Sequence, residues 1–304
     1  MRFILVRHSQ QVSKMKVAFT IDDLPLWPNS YPPEGYTAAG IVDSILEALD
    51  RNGIEQIYAF SNSWALLKHP ELTSLMDRWV DAGHHVANHT HNHPELNDVS
   101  AERYIEEIDL AEEHLSPWLS RAPKRYFRHT LNLWGNTEEK LTKVNAHLEK
   151  RGYTVAEVTS FLHEWEWNRA YKNLLKANDS DGIAFLRESF LDFCVAQIRY
   201  DTECAKNWFG SDFLGIALGH FIPFFADFAD DLFARLLEEG VQFISLEEAT
   251  SDPVYDDVCS VVSEEFLVYH QKLAHARGNP MPIIAPNLQP TYDKIEQMAE
   301  GQEY

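Results

Sequence analysis

The stretch Lys16-Val17-Ala18-Phe19-Thr20-Ile21-Asp22-Asp23 decides the fold. A largely apolar run from Lys16 to Ile21 ends in acid and then in Leu24-Pro25, which reads as one buried strand. A helix over 37–52 comes next. Thr37 caps it, Ile41, Ile45 and Leu49 repeat at helical spacing, and Gly53 stops it. Gln56 to Phe60 is a second strand, so the chain opens as strand, helix, strand.

The alternation continues. Leu72 to Ala82 is a helix with Leu75, Met76, Trp79 and Val80 inward, and His85 to Asn88 is a short third strand. Ser100 caps a long amphipathic helix that runs to Leu119. Arg125 to Arg128 is strand four, Thr137 to Arg151 a helix, and Tyr153 to Thr159 strand five. Residues 165–209 read as mainly helical. Leu214 to Leu218 is strand six, Asp227 to Glu239 a helix, and Val241 to Ser245 strand seven. Near-continuous apolar strands alternating with helices predict a parallel sheet covered by helices. The expected fold class is α/β, a single distorted (β/α) barrel-like domain of about seven parallel strands. Residues 1–15 read as an N-terminal extension and 16–250 as the domain, with a helical insertion at 165–209 beside the cleft. Residues 251–304 read as a C-terminal helix and surface tail; the end, Gly278 to Tyr304, is rich in Pro and polar residues and reads as surface-wrapping, helical only near Tyr292 to Ala299.

At 304 residues with 45% hydrophobic side chains, the chain can bury a sizeable core. Its formal charge of −21 repels nucleic acid and anionic membranes, so neither is expected as a partner. Three cysteines, Cys194, Cys204 and Cys259, show no metal-like spacing and read as buried thiols. Phe3 to Val6 is too short for a signal peptide and no stretch reaches membrane-spanning length. A soluble, cytoplasmic chain is the expectation, with export of a longer precursor left open.

The chemistry collects at strand ends. Asp22 and Asp23 end strand one, and His89 and His93 follow strand three. Arg128 ends strand four, Glu164 and Trp165 follow strand five, and His220 ends strand six. Barrels of this class build active sites at the C-terminal ends of strands. Two histidines four apart and a carboxylate from another strand can close on one face of a divalent metal, leaving room for water and substrate. The remaining aspartate is a candidate general base. Adjacent strand residues point opposite ways, so a shared role for Asp22 and Asp23 requires a turn, which Leu24-Pro25 supplies.

These segments, in this order, resemble the polysaccharide deacetylase family, the family 4 carbohydrate esterases with the NodB homology domain. Thr20-Ile21-Asp22-Asp23 is similar to its first motif, and His89-Thr90-His91-Asn92-His93 to its second. Phe127-Arg128 is similar to the third, Glu164-Trp165 to the fourth, and Ile216 to His220 to the fifth. The resemblance covers roughly residues 16–250. It implies a metal-dependent deacetylase that removes N- or O-acetyl groups from a carbohydrate. Asp23, His89 and His93 would hold a divalent metal, zinc first, with cobalt or another transition metal as substitutes. Asp22 would be the base, Arg128 its charge-balancing partner, and His220 the acid with Glu164 beside it. The metal and a backbone N–H near His129 would stabilise the oxyanion.

The match is not uniform. His129-Thr130-Leu131-Asn132 replaces the family's usual proline-rich sequence, so the oxyanion donor stays unassigned. Glu164 stands for the usual Asp, and Phe161 stands where an acidic residue is often found. Two further readings stay open: a small-molecule arylesterase, amidase or imidase on the same fold, and a non-catalytic carbohydrate-binding descendant. Trp27, Trp134, Trp165 and Trp167 are candidates for stacking on sugars as well as for the core. His84, His85 and His91 read as groups behind the metal loop or at the surface. Arg7-His8 is similar to a phosphatase motif but lacks its remainder and is set aside.

Overall fold

A computed structural model describes residues 15–27 and 31–301 of the chain. Arg7-His8 and the extension lie outside the described residues. Among the described residues there are eight strands: β1 (Met15–Leu24), β2 (Tyr58–Ser61), β3 (His85–Asn88), β4 (Tyr126–Phe127), β5 (Thr154–Val155), β6 (Ser160–Phe161), β7 (Gly215–His220) and β8 (Val241–Phe243). Eleven α-helices lie between or after them. They are α1 (Ala38–Arg51), α2 (Trp64–Lys68), α3 (Thr73–Asp81), α4 (Ala101–Leu119), α5 (Glu138–Lys150) and α6 (Glu164–Ala177). The rest are α7 (Ser180–Phe209), α8 (Pro223–Glu238), α9 (Leu246–Ala249), α10 (Tyr269–Ala276) and α11 (Gln289–Met298).

The strands pair in parallel in the order β5-β4-β3-β2-β1-β7-β6, with β8 on β1 below β2. The two ends of that order are β5 and β6, which are adjacent in sequence. Val155 to Ser160 is five residue steps, at most about 18 Å of extended chain. Seven strands laid flat would put the outer two about 29 Å apart. The sheet therefore has to curl, and the expected distorted barrel is what results. Ala156 donates to the Phe127 carbonyl at 2.8 Å and Thr159 to the Ile216 carbonyl at 2.8 Å, so the link is tied to both rims. The single strand expected over 153–159 is thus two short ones on opposite rims. Periodicity within a segment cannot report a change of partner.

Alternation along β1 sorts the core. Val17, Phe19 and Ile21 face the helices, where they join Ile41, Ile45 and Leu49 of α1 and Leu232, Phe233 and Leu236 of α8. Ala18, with Tyr58, Phe60, Ala87, Tyr126 and Ile216, belongs to a second cluster inside the curl. The helix starts follow the expected caps: Thr37 accepts from the Gly40 N–H and Ser100 from the Arg103 N–H. Residues 165–209 are helical, as α6 and α7 with a break at Asn178 (φ 53°). This pair is the crossover from β6 to β7.

The segment after 250 is more than a surface tail. Tyr255, Tyr269 and Leu273 close the inner cluster, while Ile284, Leu288 and Ile295 join the outer one. The helix α10 was not expected, because its apolar pattern lasts only two turns. Among the described residues no helix is long and apolar enough to cross a membrane. The three cysteines are free.

Candidate active site

Residues of β1, β3, β4, β6–α6 and β7 converge at the C-terminal ends of the strands. One ligand atom each from Asp23, His89 and His93 lies within 4.8 Å of the others. The two aspartates share the site by a different device from the one expected. β1 runs on to Leu24, and a bulge between Asp22 and Leu24 places Asp23 at φ 71°. An extra residue in the left-handed region turns two consecutive side chains toward one side, and aspartate tolerates that conformation.

The histidine loop is fixed by its own polar groups. Thr90 donates its N–H to the Asn88 side chain at 2.9 Å, and the His93 N–H reaches the Thr90 hydroxyl at 3.1 Å. The Asn92 N–H is held by Glu107 of α4 at 2.7 Å. His89 Nδ1 lies 2.8 Å from the Arg128 carbonyl, which can only accept, so Nδ1 carries the proton and Nε2 presents a lone pair. Burial holds His89 neutral, down to about 3, and pushes His93 well below the ordinary histidine range. Burial also raises Asp23 to about 7; the Asp22 and Glu164 charges add to this, and His220 and the Asn62 hydrogen bond oppose it. Asp23 Oδ1 accepts from Asn62 at 2.6 Å while the buried Oδ2 has no partner among the described residues. Two neutral imidazoles and a half-satisfied carboxylate, converging and largely buried, fit a divalent cation.

Asp22 is held from the other side. Arg128 Nη1 donates to it at 2.7 Å and to the Thr20 hydroxyl at 2.9 Å, and Nε reaches the Ala156 carbonyl at 3.2 Å. The guanidinium lies over the Phe60 ring, 3.9 Å from its centre. His220 Nδ1 meets Glu164 Oε1 at 2.6 Å, and Glu164 is fully buried. Burial disfavours the imidazolium, but Glu164 first, then Asp23 and Asp22, outweigh it and raise His220 to about 9. Glu164 therefore reaches His220 and not Arg128. Its place at the start of α6 suffices to aim it.

A cavity of about 50 Å³ is lined by Asp22, His89, His93 and His220 on its polar side and by Trp27, Phe161, Trp165 and Leu218 on its apolar side. Trp27 and Trp165 contact each other (ring centres 4.8 Å), with His93 4.6 Å from Trp27 and His220 5.4 Å from Trp165. Trp134 and Trp167 are fully buried elsewhere, so the structure makes them core and not sugar-facing. His84 and His85 sit at the opposite end of β3, against Trp79 and Tyr58. His91 pairs with Ser63 at 2.6 Å. None of the three joins the ligand group. Asn62, one residue past β2, and Thr20, inside the first motif, were missed; Asn62's strand-end position was the available signal.

Residues 9–143 match the family model described as polysaccharide deacetylase. The matched stretch contains β1 to β4 and the first three motif segments, and the resemblance read from those segments holds. The fold is shared with a family 4 carbohydrate esterase from Streptomyces lividans in complex with acetate. That protein is 20% identical, with a TM-score of 0.50 over 77% of this chain and 95% of that one. It is shared too with wild-type BA3943 from Bacillus anthracis, a CE4 family pseudoenzyme: 15% identity and a TM-score of 0.51 over 78% and 66%. At such identities the likeness is one of fold. No curated protein matches the sequence.

Proposed function

We propose that the chain is a metal-dependent hydrolase that removes acetyl groups from nitrogen or oxygen of a carbohydrate. One observation carries this: a base held by Arg128, an acid held by Glu164 and the two histidines of the cation-fitting triple all border one small cavity. A binding module has no use for both a paired base and a paired acid. Asp23, His89 and His93 would hold the cation, zinc first. Such a cation, when bound, acts as a Lewis acid and makes water a nucleophile near neutral pH. Asp22 takes the proton from the attacking water, and the hydrogen bond from Arg128 aims that carboxylate. His220 donates a proton to the departing nitrogen or oxygen, and Glu164 keeps the imidazolium formed until then. Leu218, Phe161 and Trp165 give the acetyl methyl an apolar wall. The family match over residues 9–143 supports the same reading.

A small-molecule esterase or amidase is the second reading. The aromatic lining and the remodelled loop after Arg128 favour it, since a flat aryl group packs well on Trp27 and Trp165. Both readings are tested together by metal analysis of the purified chain and acetate release from chitooligosaccharides, acetylated xylan and an aryl acetate. The carbohydrate reading expects one tightly held divalent ion and release from at least one saccharide. His93→Ala should lose both ion and activity. Cleavage of the aryl acetate alone transfers the assignment to the second reading, and full activity after exhaustive chelation overturns the metal site.

A further inference from the structure

The loop after Arg128 carries a side chain that this scheme leaves without work. Asn132 is 2% exposed, and neither its amide nitrogen nor its oxygen has a hydrogen-bond partner among the described residues. A buried amide left unmet is costly, and folded chains rarely keep one without a reason. The residue lines the same cavity as Asp22 and His220. It is delivered there by two consecutive left-handed residues, Leu131 at φ 50° and Asn132 at φ 53°. Asparagine adopts that conformation readily, whereas leucine does so at a cost, and such strain collects at functional sites. His129 lines the same cavity and also has two unmatched ring nitrogens, with its ring fixed by stacking on Tyr104 and an edge-on contact with Phe127.

We propose that Asn132 Nδ2 donates a hydrogen bond to the carbonyl oxygen of the acyl group under attack. The inference rests on the hydrolase reading. The small cavity is bordered by the base, the acid and the two ligand histidines, so the part of a substrate that enters it is the acyl group under attack. The polar atom of an acyl group is its carbonyl oxygen. As water's oxygen bonds to the carbonyl carbon, the π electrons move onto that oxygen. They return when the bond to the leaving nitrogen or oxygen breaks, with the proton supplied by His220. A preset neutral donor gains most at the charged stage. The side chain would thereby supply what the altered third motif leaves unassigned.

The test uses the metal-loaded full chain with Asn132→Leu, close in volume but without a donor, and Asn132→Asp. Asn132→Leu should lower kcat about a hundredfold with KM within about twofold, the pattern of a contact made at the charged stage. Asn132→Asp, an acceptor facing an oxyanion, should lose more. Acetate binding by calorimetry should weaken about tenfold in Asn132→Leu. Metal content and Tm serve as controls, and Asn132→Ala replaces Asn132→Leu if the latter does not fold. Wild-type kcat in Asn132→Leu, or a raised KM with unchanged kcat, overturns the proposal. A wild-type chain that hydrolyses no acyl substrate sinks the hydrolase reading instead. Acetate affinity then still decides Asn132, because equal affinity in both chains overturns its role.

Discussion

Among the described residues two buried ion pairs join a carboxylate to an arginine or a lysine, and they do different things. Asp22 meets Arg128 at 2.7 Å, and Glu157 meets Lys272 at 2.5 Å. Each combines a carboxylate near a strand end with a long cation from elsewhere in the chain. Each cation also lies over an aromatic ring, Arg128 over Phe60 and Lys272 over Trp134. Asp22 of the first pair borders the cavity beside the cation-fitting triple; neither member of the second pair does. Burial raises Glu157 and lowers Lys272, and each opposes the other's shift. Arg128 adds to the field that keeps Glu157 charged. A buried pair therefore says little about function until its access to a cavity is known. The first is placed to handle a proton, and the second fastens α10 to the barrel.

The sharpest break between the two is Asp22→Asn. If the first pair is catalytic, turnover falls about a hundred- to ten-thousandfold, the usual cost of losing a general base. Bound metal stays near one equivalent, because Asp22 is outside the triple. Steady-state kinetics with metal analysis checks both. A variant that loses its metal instead moves Asp22 into the ligand set.

Lys272→Met probes the second pair. It strands Glu157 as a buried uncompensated carboxylate, so unfolding free energy should drop by about 3–5 kcal/mol in denaturant titration. The double variant Glu157→Gln/Lys272→Met should recover most of that, since a buried pair replaced as a whole is often nearly neutral. Turnover per folded molecule should stay close to wild type in the double variant. A large loss of turnover there would join the second pair to the catalytic machinery.

The two pairs also differ in how well the sequence announced them. Asp22 and Arg128 end apolar runs, and strand ends in a parallel α/β chain converge whatever the details of closure. That geometry made Asp23, His89, His93, His220 and Glu164 legible as well. Glu157 lay inside what reads as one strand over 153–159. Only the curling of the sheet, set by pairings between distant segments, splits that strand and buries Glu157. Lys272 sits on a helix whose apolar pattern is Tyr269, Leu273 and Ala274, too brief for a periodicity argument. The bulge at Asp23 was hidden for a similar reason: the sequence shows that two aspartates must share a site, but not which backbone distortion lets them. Asn132 escaped because an unmatched amide is visible only once its surroundings are packed.

Glu164→Gln should give the smallest effect, and it asks whether the third carboxylate contact, Glu164 with His220, belongs with the first pair or the second. Glu164 leads the charges that raise His220 to about 9 against the pull of burial. A raised acid stays protonated further up the pH scale, so wild-type activity should hold until pH approaches that value. Removing the carboxylate should move the basic limb of the pH–rate profile down by about one unit or more. Stability carries the same sign. A histidine raised in the folded state stabilises it most fully below its ordinary value near 6.5, and that contribution fades as pH rises through about 9. Wild type should therefore exceed Glu164→Gln in stability at pH 6, and the gap should narrow by pH 9.5. A narrowing gap with an unmoved pH–rate limb would class Glu164 with Glu157, as a structural anchor. Movement of the limb would place it with Asp22, as a group that sets when a proton is given up.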